Sequence, residues 1–274
     1  LTTPSPPEAS QLAAEVERLN RQRQDLTDRL WAGALVKARE QAAAEPLLFF
    51  AGEDFMPGIN GLVASKLVEE FYRPAVVVAL EGDIARGSAR SIPEFDIRRA
   101  LDRCSDLLLR FGGHAGAAGF LAPREALSSL QQRLQALARE ALPPDLLVPH
   151  LPIDAEVSPM SLLGETFRFL QDLEPFGPEN PPPVFLTRTV QVADIRQTGP
   201  QGQHLRMKLR YGGALWDAVA FRWGGSPPSP GGLLDIVYTL GTDLHHGQVT
   251  PKLVLRDLRP PASGIPPGQF YGLR

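Results

Sequence analysis

LLFFAGEDFMPGINGLVASKLVEEFYRPAVVVAL, residues 47–80, decides the fold of the first half of the chain. LLFFA (47–51) is a short apolar run closed by charge and glycine, which reads as a buried strand. In GLVASKLVEEFY (61–72), Leu62, Leu67, Val68 and Phe71 recur at helical spacing, and AVVVAL (75–80) is a β-branched strand ended by an EGD turn. Outward from there, ARGSARS (85–91) reads as a partly polar strand and DIRRALDRCSDLLLRF (96–111) as a helix stopped by Gly112 and Gly113. GFLA (119–122) reads as another strand, and REALSSLQQRLQALAREAL (124–142) as a closing helix. Strands alternating with helices predict an α/β domain over 46–142, a mixed sheet with flanking helices.

Upstream, residues 8–44 lack Pro and hold a single glycine, Gly33. Leu12, Val16, Leu19, Leu26 and Leu30 form one stripe, interrupted by Arg23, so residues 1–45 are expected to be dominated by one amphipathic helix. At 1.5 Å per residue it spans on the order of 50 Å, long enough to pack along a partner or bridge two domains. A chain opening in this way is expected to be a piece of something longer. Downstream, 143–183 reads as a linker and one helix (158–173), closed by the rigid loop PFGPENPPP. Five strand-like runs then follow between Gly/Pro turns over 184–260: VFLTRTVQVADIRQ, HLRMKLRY, ALWDAVAFRW, LLDIVYTLG and TPKLVLRDL. They predict a small closed barrel of the OB type. The Pro/Gly-rich residues 261–274 read as a flexible tail.

The 274 residues carry 28 Lys+Arg and 31 Asp+Glu, net −3, but the charge is unevenly placed. Residues 1–180 hold 26 acidic and 18 basic residues, whereas 181–274 hold 5 acidic and 10 basic. A basic half on an acidic remainder points to a polyanion partner there. The one cysteine, Cys104, excludes a disulfide framework and a cysteine zinc cluster, and is expected to be core filler. No apolar run is long enough to span a bilayer and no secretory signal is visible, so the chain is expected to be cytoplasmic.

Three strings could carry chemistry. In FGGHAGAAGF (111–120), Gly112 and Gly113 precede His114, and no bulky side chain follows until Phe120; backbone there can approach a phosphate while one imidazole projects. The purely structural alternative is a helix cap followed by a tightly packed strand. In ARGSARS, Arg86 and Arg90 fall on one side of an extended strand with Ser88 between them, a set of phosphate donors, or else an edge strand blunted by charge. Gly58 and Gly61 bracket a turn into a helix whose N-terminus could receive an anion, or be a plain strand-to-helix turn. The five histidines (His114, His150, His204, His245, His246) are scattered without metal-ligand spacing. These residues alone make no convincing catalytic centre.

Together, GGHAGAAGF, GSARS and PGINGLVASKLVEEFYRP resemble the DHH-associated domain of the RecJ family of DHH phosphoesterases. LNRQRQ (19–24) resembles the start of that family's connecting helix, and LEPFGPENPPPVF (173–185), with HLRMKLR and LWDAVAF, resembles its OB-fold domain. The resemblance implies a 5′→3′ single-stranded-DNA exonuclease of DNA repair and recombination, using Mn²⁺ or Mg²⁺ held by an N-terminal DHH domain that would precede residue 1. This chain would then bind single-stranded DNA, hold no metal itself and be inactive alone. By the same analogy Ser88 and Arg90, with Arg86, would hold the 5′-phosphate, and Gly112, Gly113 and His114 would face the metal domain. Arg188, Arg206, Lys208 and Arg210 would guide the strand along the barrel, with Trp216, Phe221 and Trp223 as stacking candidates that strand alternation partly assigns to the core. One departure is Phe55-Met56, where the family usually has Trp-His. Two other readings stand beside this one. One is an RNA-oligomer or cyclic-dinucleotide phosphodiesterase of the same superfamily, which the barrel argues against. The other is a non-catalytic module recruiting single-strand-binding protein.

Overall fold

Helix α1 (Pro6–Ala44) opens on proline in its first turn and is laced by surface ion pairs such as Glu15–Arg18. The computed structural model describes residues 2–245 and 248–261, the side chains of 244–249 excepted, and divides into one unit up to Val148 and a second from Pro149. In α1, Leu26, Leu30 and Trp31 pack on the rest of the first unit, while Leu12, Val16 and Leu19 of the same stripe stand exposed.

The chain then forms β1 (Leu48–Gly52), α2 (Asn60–Phe71), β2 (Ala75–Glu81), β3 (Ile84–Arg90), α3 (Ile97–Asp102), β4 (Arg110–His114), β5 (Ala117–Pro123) and α4 (Leu127–Ala141). The sheet order is β1-β2-β3-β5-β4, with β1 parallel to β2 and every other neighbour antiparallel, so the predicted mixed α/β sheet is the one observed. One face carries Val76, Val78, Ala85, Ala89, Phe120 and Ala122 into a core closed by α3 and α4. On the other face, Leu48, Phe50, Ala75 and Val77 are covered by α1 and α2. That cover stops short of β5 and β4.

The expected helix over 96–111 is corrected. Only Ile97–Asp102 is α-helical, capped by the Asp96 carboxylate accepting the Arg99 N–H at 3.0 Å. The leucine run fits a helical period locally, but Leu109 donates to the Leu121 carbonyl and Arg110–His114 pairs with β5. Gly112 and Gly113 are therefore strand residues, and the helix-cap alternative falls with the helix. Cys104 is buried in this core, and burial pushes its thiol up to about 11, which keeps it protonated and inert near neutrality.

In the second unit, the helix expected over 158–173 is broken. A 3₁₀ turn spans Pro159–Leu162, Gly164 (φ +64°) then caps the start of α5, and α5 begins at Glu165 and ends at Asp172. The short β6 (Ala155–Glu156) precedes α5 and joins the barrel edge. Strands β7 (Phe185–Thr198), β8 (His204–Tyr211), β9 (Ala214–Ala220), β10 (Leu233–His245) and β11 (Gln248–Arg259) follow in order. Pairing of β10 with β7 closes the five into the predicted OB-type barrel. Alternation sends Leu205, Met207, Leu209, Trp216, Ile236 and Tyr238 inward, where the Tyr238 hydroxyl meets that of Thr187 at 3.0 Å. Of the expected tail over 261–274, all but Pro261 lies outside the described residues, as does His246.

Asp257 on β11 is half-buried, and burial lifts its carboxyl to about 6 against the pull of the Leu258 N–H and Arg259. Its folded pKa lies above the ordinary value, so its contribution to stability is present below about pH 4 and is lost as pH rises through about 6. Asp257→Asn is expected to make the barrel more resistant to urea at pH 7 than the parent, with the difference vanishing by about pH 4. Equal urea midpoints at pH 7 would refute that burial cost.

Candidate nucleic-acid interface

Directly paired residues of neighbouring strands share a sheet face, so register alone builds the site. Arg90 pairs Ala117, which pairs His114; Ser88 pairs Gly119, which pairs Gly112; Arg86 pairs Leu121, which pairs Arg110. These three rows run outward from the edge of α2 across β5 and β4, and none of the nine residues is buried. The patch measures roughly 10 Å across three strands by 13 Å along them. It holds three arginines, one imidazole, one hydroxyl and no carboxylate. β3 lies between β2 and β5, which removes the edge-strand reading of ARGSARS.

The glycines divide by what surrounds them. A Cβ on Gly87, on the core face, would lie 2.1 Å from the Phe120 ring, and one on Gly113 (φ +143°) would lie 2.3 Å from the Ala117 carbonyl. Internal packing demands both. Gly112 has nothing within 4 Å of such an atom, and Gly119 only the Gly87 carbonyl at 3.6 Å. The fold itself has room for side chains at 112 and 119, beside Ser88.

The donors around this bare strip are lightly engaged. Ser88 makes no side-chain hydrogen bond among the described residues. Arg90 donates Nη1–H to the Ala89 carbonyl at 2.8 Å, lies over Gly61 in the first turn of α2, and has no ion pair among the described residues. Arg86 stands 3.7 Å from Glu81, both half-exposed, a weak pairing that an anion can displace. The His114 Nδ1 accepts the Gly116 N–H at 3.3 Å, which leaves the neutral ring's proton on Nε2, facing solvent. The hairpin tip is fixed in turn: Ile97 N–H donates to the Ala115 carbonyl at 3.1 Å and Ser91 N–H to the Gly116 carbonyl at 3.0 Å.

One further residue of this face, Arg110, was missed by reading the sequence. Arg110 was hidden inside the supposed 96–111 helix and stands exposed on β4 without an ion pair among the described residues. Asn60 opens α2 fully buried, and neither amide atom has a partner among the described residues.

On the barrel, Arg206, Lys208 and Arg210 alternate outward from β8, with Arg196 of β7 paired to Arg206. Lys208 reaches Asp217 across to β9 at 2.7 Å. A cavity of about 480 Å³ beside this face is lined by Arg206, Lys208, Met160, Leu163 and Leu215. Arg188 does not join them. It lies on β7 with Nε donating to both Glu156 oxygens at 3.0 Å and Nη1 reaching the buried Asp235 at 3.4 Å, so its charge is spent inside the fold. Trp216 is core and Trp223 is partly buried against it, leaving Phe221, exposed and edge-on to His204 at 5.5 Å, as the available platform.

Among the described residues no group of three His, Cys, Asp or Glu could hold a metal. The open sheet face, rich in arginine and bordered by Glu81, which pairs with Arg86, does not fit Mn²⁺ or Mg²⁺, which take several hard oxygen ligands. Nor, among the described residues, is any helix long and apolar enough to cross a membrane.

Comparison with known proteins adds two domain matches: the DHHA1 domain over residues 42–140 and the RecJ OB domain over 153–257. The single-stranded-DNA-specific exonuclease RecJ of Bacillus subtilis is 32% identical over 271 residues, 97% of this chain and 34% of that protein. RecJ of Thermus thermophilus is 35% identical over 210 residues, 77% of this chain and 30% of that protein. The crystal structure of RecJ from Thermus thermophilus in complex with Mn²⁺ superposes with a TM-score of 0.72 at 31% identity, covering 96% of this chain and 38% of that one. This chain therefore spans about a third of the length of these relatives.

Proposed function

The chain is the DHHA1-and-OB region of a RecJ-type protein, and from that premise we propose that it is the part that grips substrate in a 5′→3′ exonuclease specific for single-stranded DNA. The open face of β3, β5 and β4 receives the 5′-terminal phosphate, and the barrel receives the strand that follows. A DHH domain, expected to precede this chain, brings the Mn²⁺ or Mg²⁺ and the bond cleavage, so the chain by itself is inactive. The setting is cytoplasmic DNA repair and recombination.

The single observation that carries this reading is the arginine-rich patch whose Gly112 and Gly119 have no packing reason to be glycine. Arg90 and Ser88 supply charge-assisted donors to a terminal phosphate, which carries more charge than an internal diester. Bare backbone at 112 and 119 lets the first sugar and base lie flat against the sheet. His114 Nε2–H and Arg110 extend the donor row along β4 towards the next phosphate. Strands β8 and β9 are the second and third strands of the OB barrel, the face such barrels present to oligonucleotides. There Arg206 and Arg210 meet backbone charge, while Phe221 offers a ring on which a base can stack.

The test is a titration of the isolated chain with a 5′-phosphorylated oligothymidylate across salt concentrations. We expect weak binding whose log–log slope is roughly −3, at about 0.7 per phosphate contacted, and a slope shallower by about 0.7 in Arg206→Ala. A salt-independent affinity would overturn the reading.

A further inference from the structure

The edge of the first sheet carries a second opening. β1 is the outer strand, and its uncharged sequence LFFAG has none of the lysine or proline that usually blunts an edge. In a parallel ladder the backbone groups of alternate residues point outward. Phe49 is one of these, and the side-chain amide of Gln41 on α1 takes the place of a neighbouring strand there. Its Nε2–H donates to the Phe49 carbonyl at 3.2 Å and its Oε1 accepts the Phe49 N–H at 3.0 Å. Ala51, the next outward residue, is exposed, and its N–H and C=O find no partner among the described residues. Instead they open into a cleft of about 640 Å³ between α1 and β1.

The cleft's walls are specific. Arg29, Gly33, Lys37 and Gln41 fall four residues apart along α1, on one line facing the strand edge. Gly33 has nothing within 4 Å of where a Cβ would stand, so its absence of a side chain keeps the cleft open at the usual cost of glycine within a helix. Neither Arg29 nor Lys37 has an ion pair among the described residues, and Asp54 at the end of the strand is the one carboxylate on the lining.

We propose that this cleft takes an extended, acidic peptide segment of a partner protein, which adds a strand to β1 by pairing with Ala51 and sets its carboxylates against Arg29 and Lys37. One feature favours a peptide backbone over a sugar–phosphate backbone. Ala51 offers one donor and one acceptor in strand geometry, which a peptide backbone meets with an acceptor and a donor. A phosphodiester offers only acceptors. The two unpaired cations then favour acidic side chains at alternate positions.

The experiment selects heptapeptides from a random display library on the intact chain, counter-selecting on Gly33→Trp, whose side chain fills the cleft. The expected result is enrichment of Asp and Glu at alternate positions. A synthetic peptide from that selection should slow hydrogen exchange at the Ala51 amide by at least about tenfold and bind at least about tenfold more weakly to Lys37→Glu. Circular dichroism of Gly33→Trp confirms that the helix persists. Recovery of the same peptides by both baits, binding without protection of Ala51, or protection of Ala51 by oligothymidylate would each overturn the proposal.

Discussion

Arg90→Ala is expected to weaken binding of a 5′-phosphorylated oligonucleotide by about ten- to a hundredfold while leaving its 5′-hydroxyl counterpart nearly unchanged. A hydrogen bond to a charged group contributes about 1.5–3 kcal/mol, which sets that range. The clean outcome follows from how Arg90 is held. Its guanidinium rests on Gly61 and the Ala89 carbonyl, with no ion pair among the described residues, so truncation strands no carboxylate. The unfolding midpoint should therefore hardly move. Fluorescence anisotropy with the two oligonucleotides at low salt reads the effect. Equal weakening of both would make Arg90 a general contact to the strand and place the end-recognising group elsewhere.

The second large effect is a reversal between glycines that sequence alone treats alike. Gly87→Ala places a methyl group 2.1 Å from the Phe120 ring in the core, so the ring or the strand must move. We expect a loss of about 1–3 kcal/mol and a clearly lower unfolding midpoint. Gly112→Val and Gly119→Val meet open space or a single carbonyl at 3.6 Å, and a β-branched residue suits a strand, so their midpoints should stay level or rise. Binding should reverse the order. The two valines erect side chains on the patch and should abolish detectable affinity for a phosphorylated end, whereas whatever Gly87→Ala remains folded should still bind. Valine variants that bind normally would mean that nothing needs to approach 112 and 119 closely.

How much of this the amino-acid sequence disclosed depends on whether the deciding interaction was local. The helices over 8–44 and 61–72 and the five barrel strands obey periodicities of 3.6 or 2 within themselves, the strands LLFFA and AVVVAL are continuous apolar runs, and all stand where expected. Residues 96–111 failed because Leu107, Leu108 and Leu109 satisfy a helical period, whereas their fate was decided by the pairing partner Leu121. That one error hid Arg110 and turned Gly112 and Gly113 into a cap. Arg188 looked like its neighbours on β8 because its partners, Glu156 and Asp235, come from distant strands. The face shared by Arg86, Ser88 and Arg90 was readable from alternation. That the face lay open, with Glu81 beside Arg86 at its border, required the sheet order.

The measurement that bears most directly on the open sheet face is a backbone-amide NMR titration of the isolated chain with a 5′-phosphorylated trinucleotide and its 5′-hydroxyl twin. Saturable shifts at Ser88, Gly112, His114 and Gly119 with the phosphorylated form, and their loss with the hydroxyl form, are the expected result. Shifts confined to β8 and β9, or identical for both trinucleotides, would contradict it.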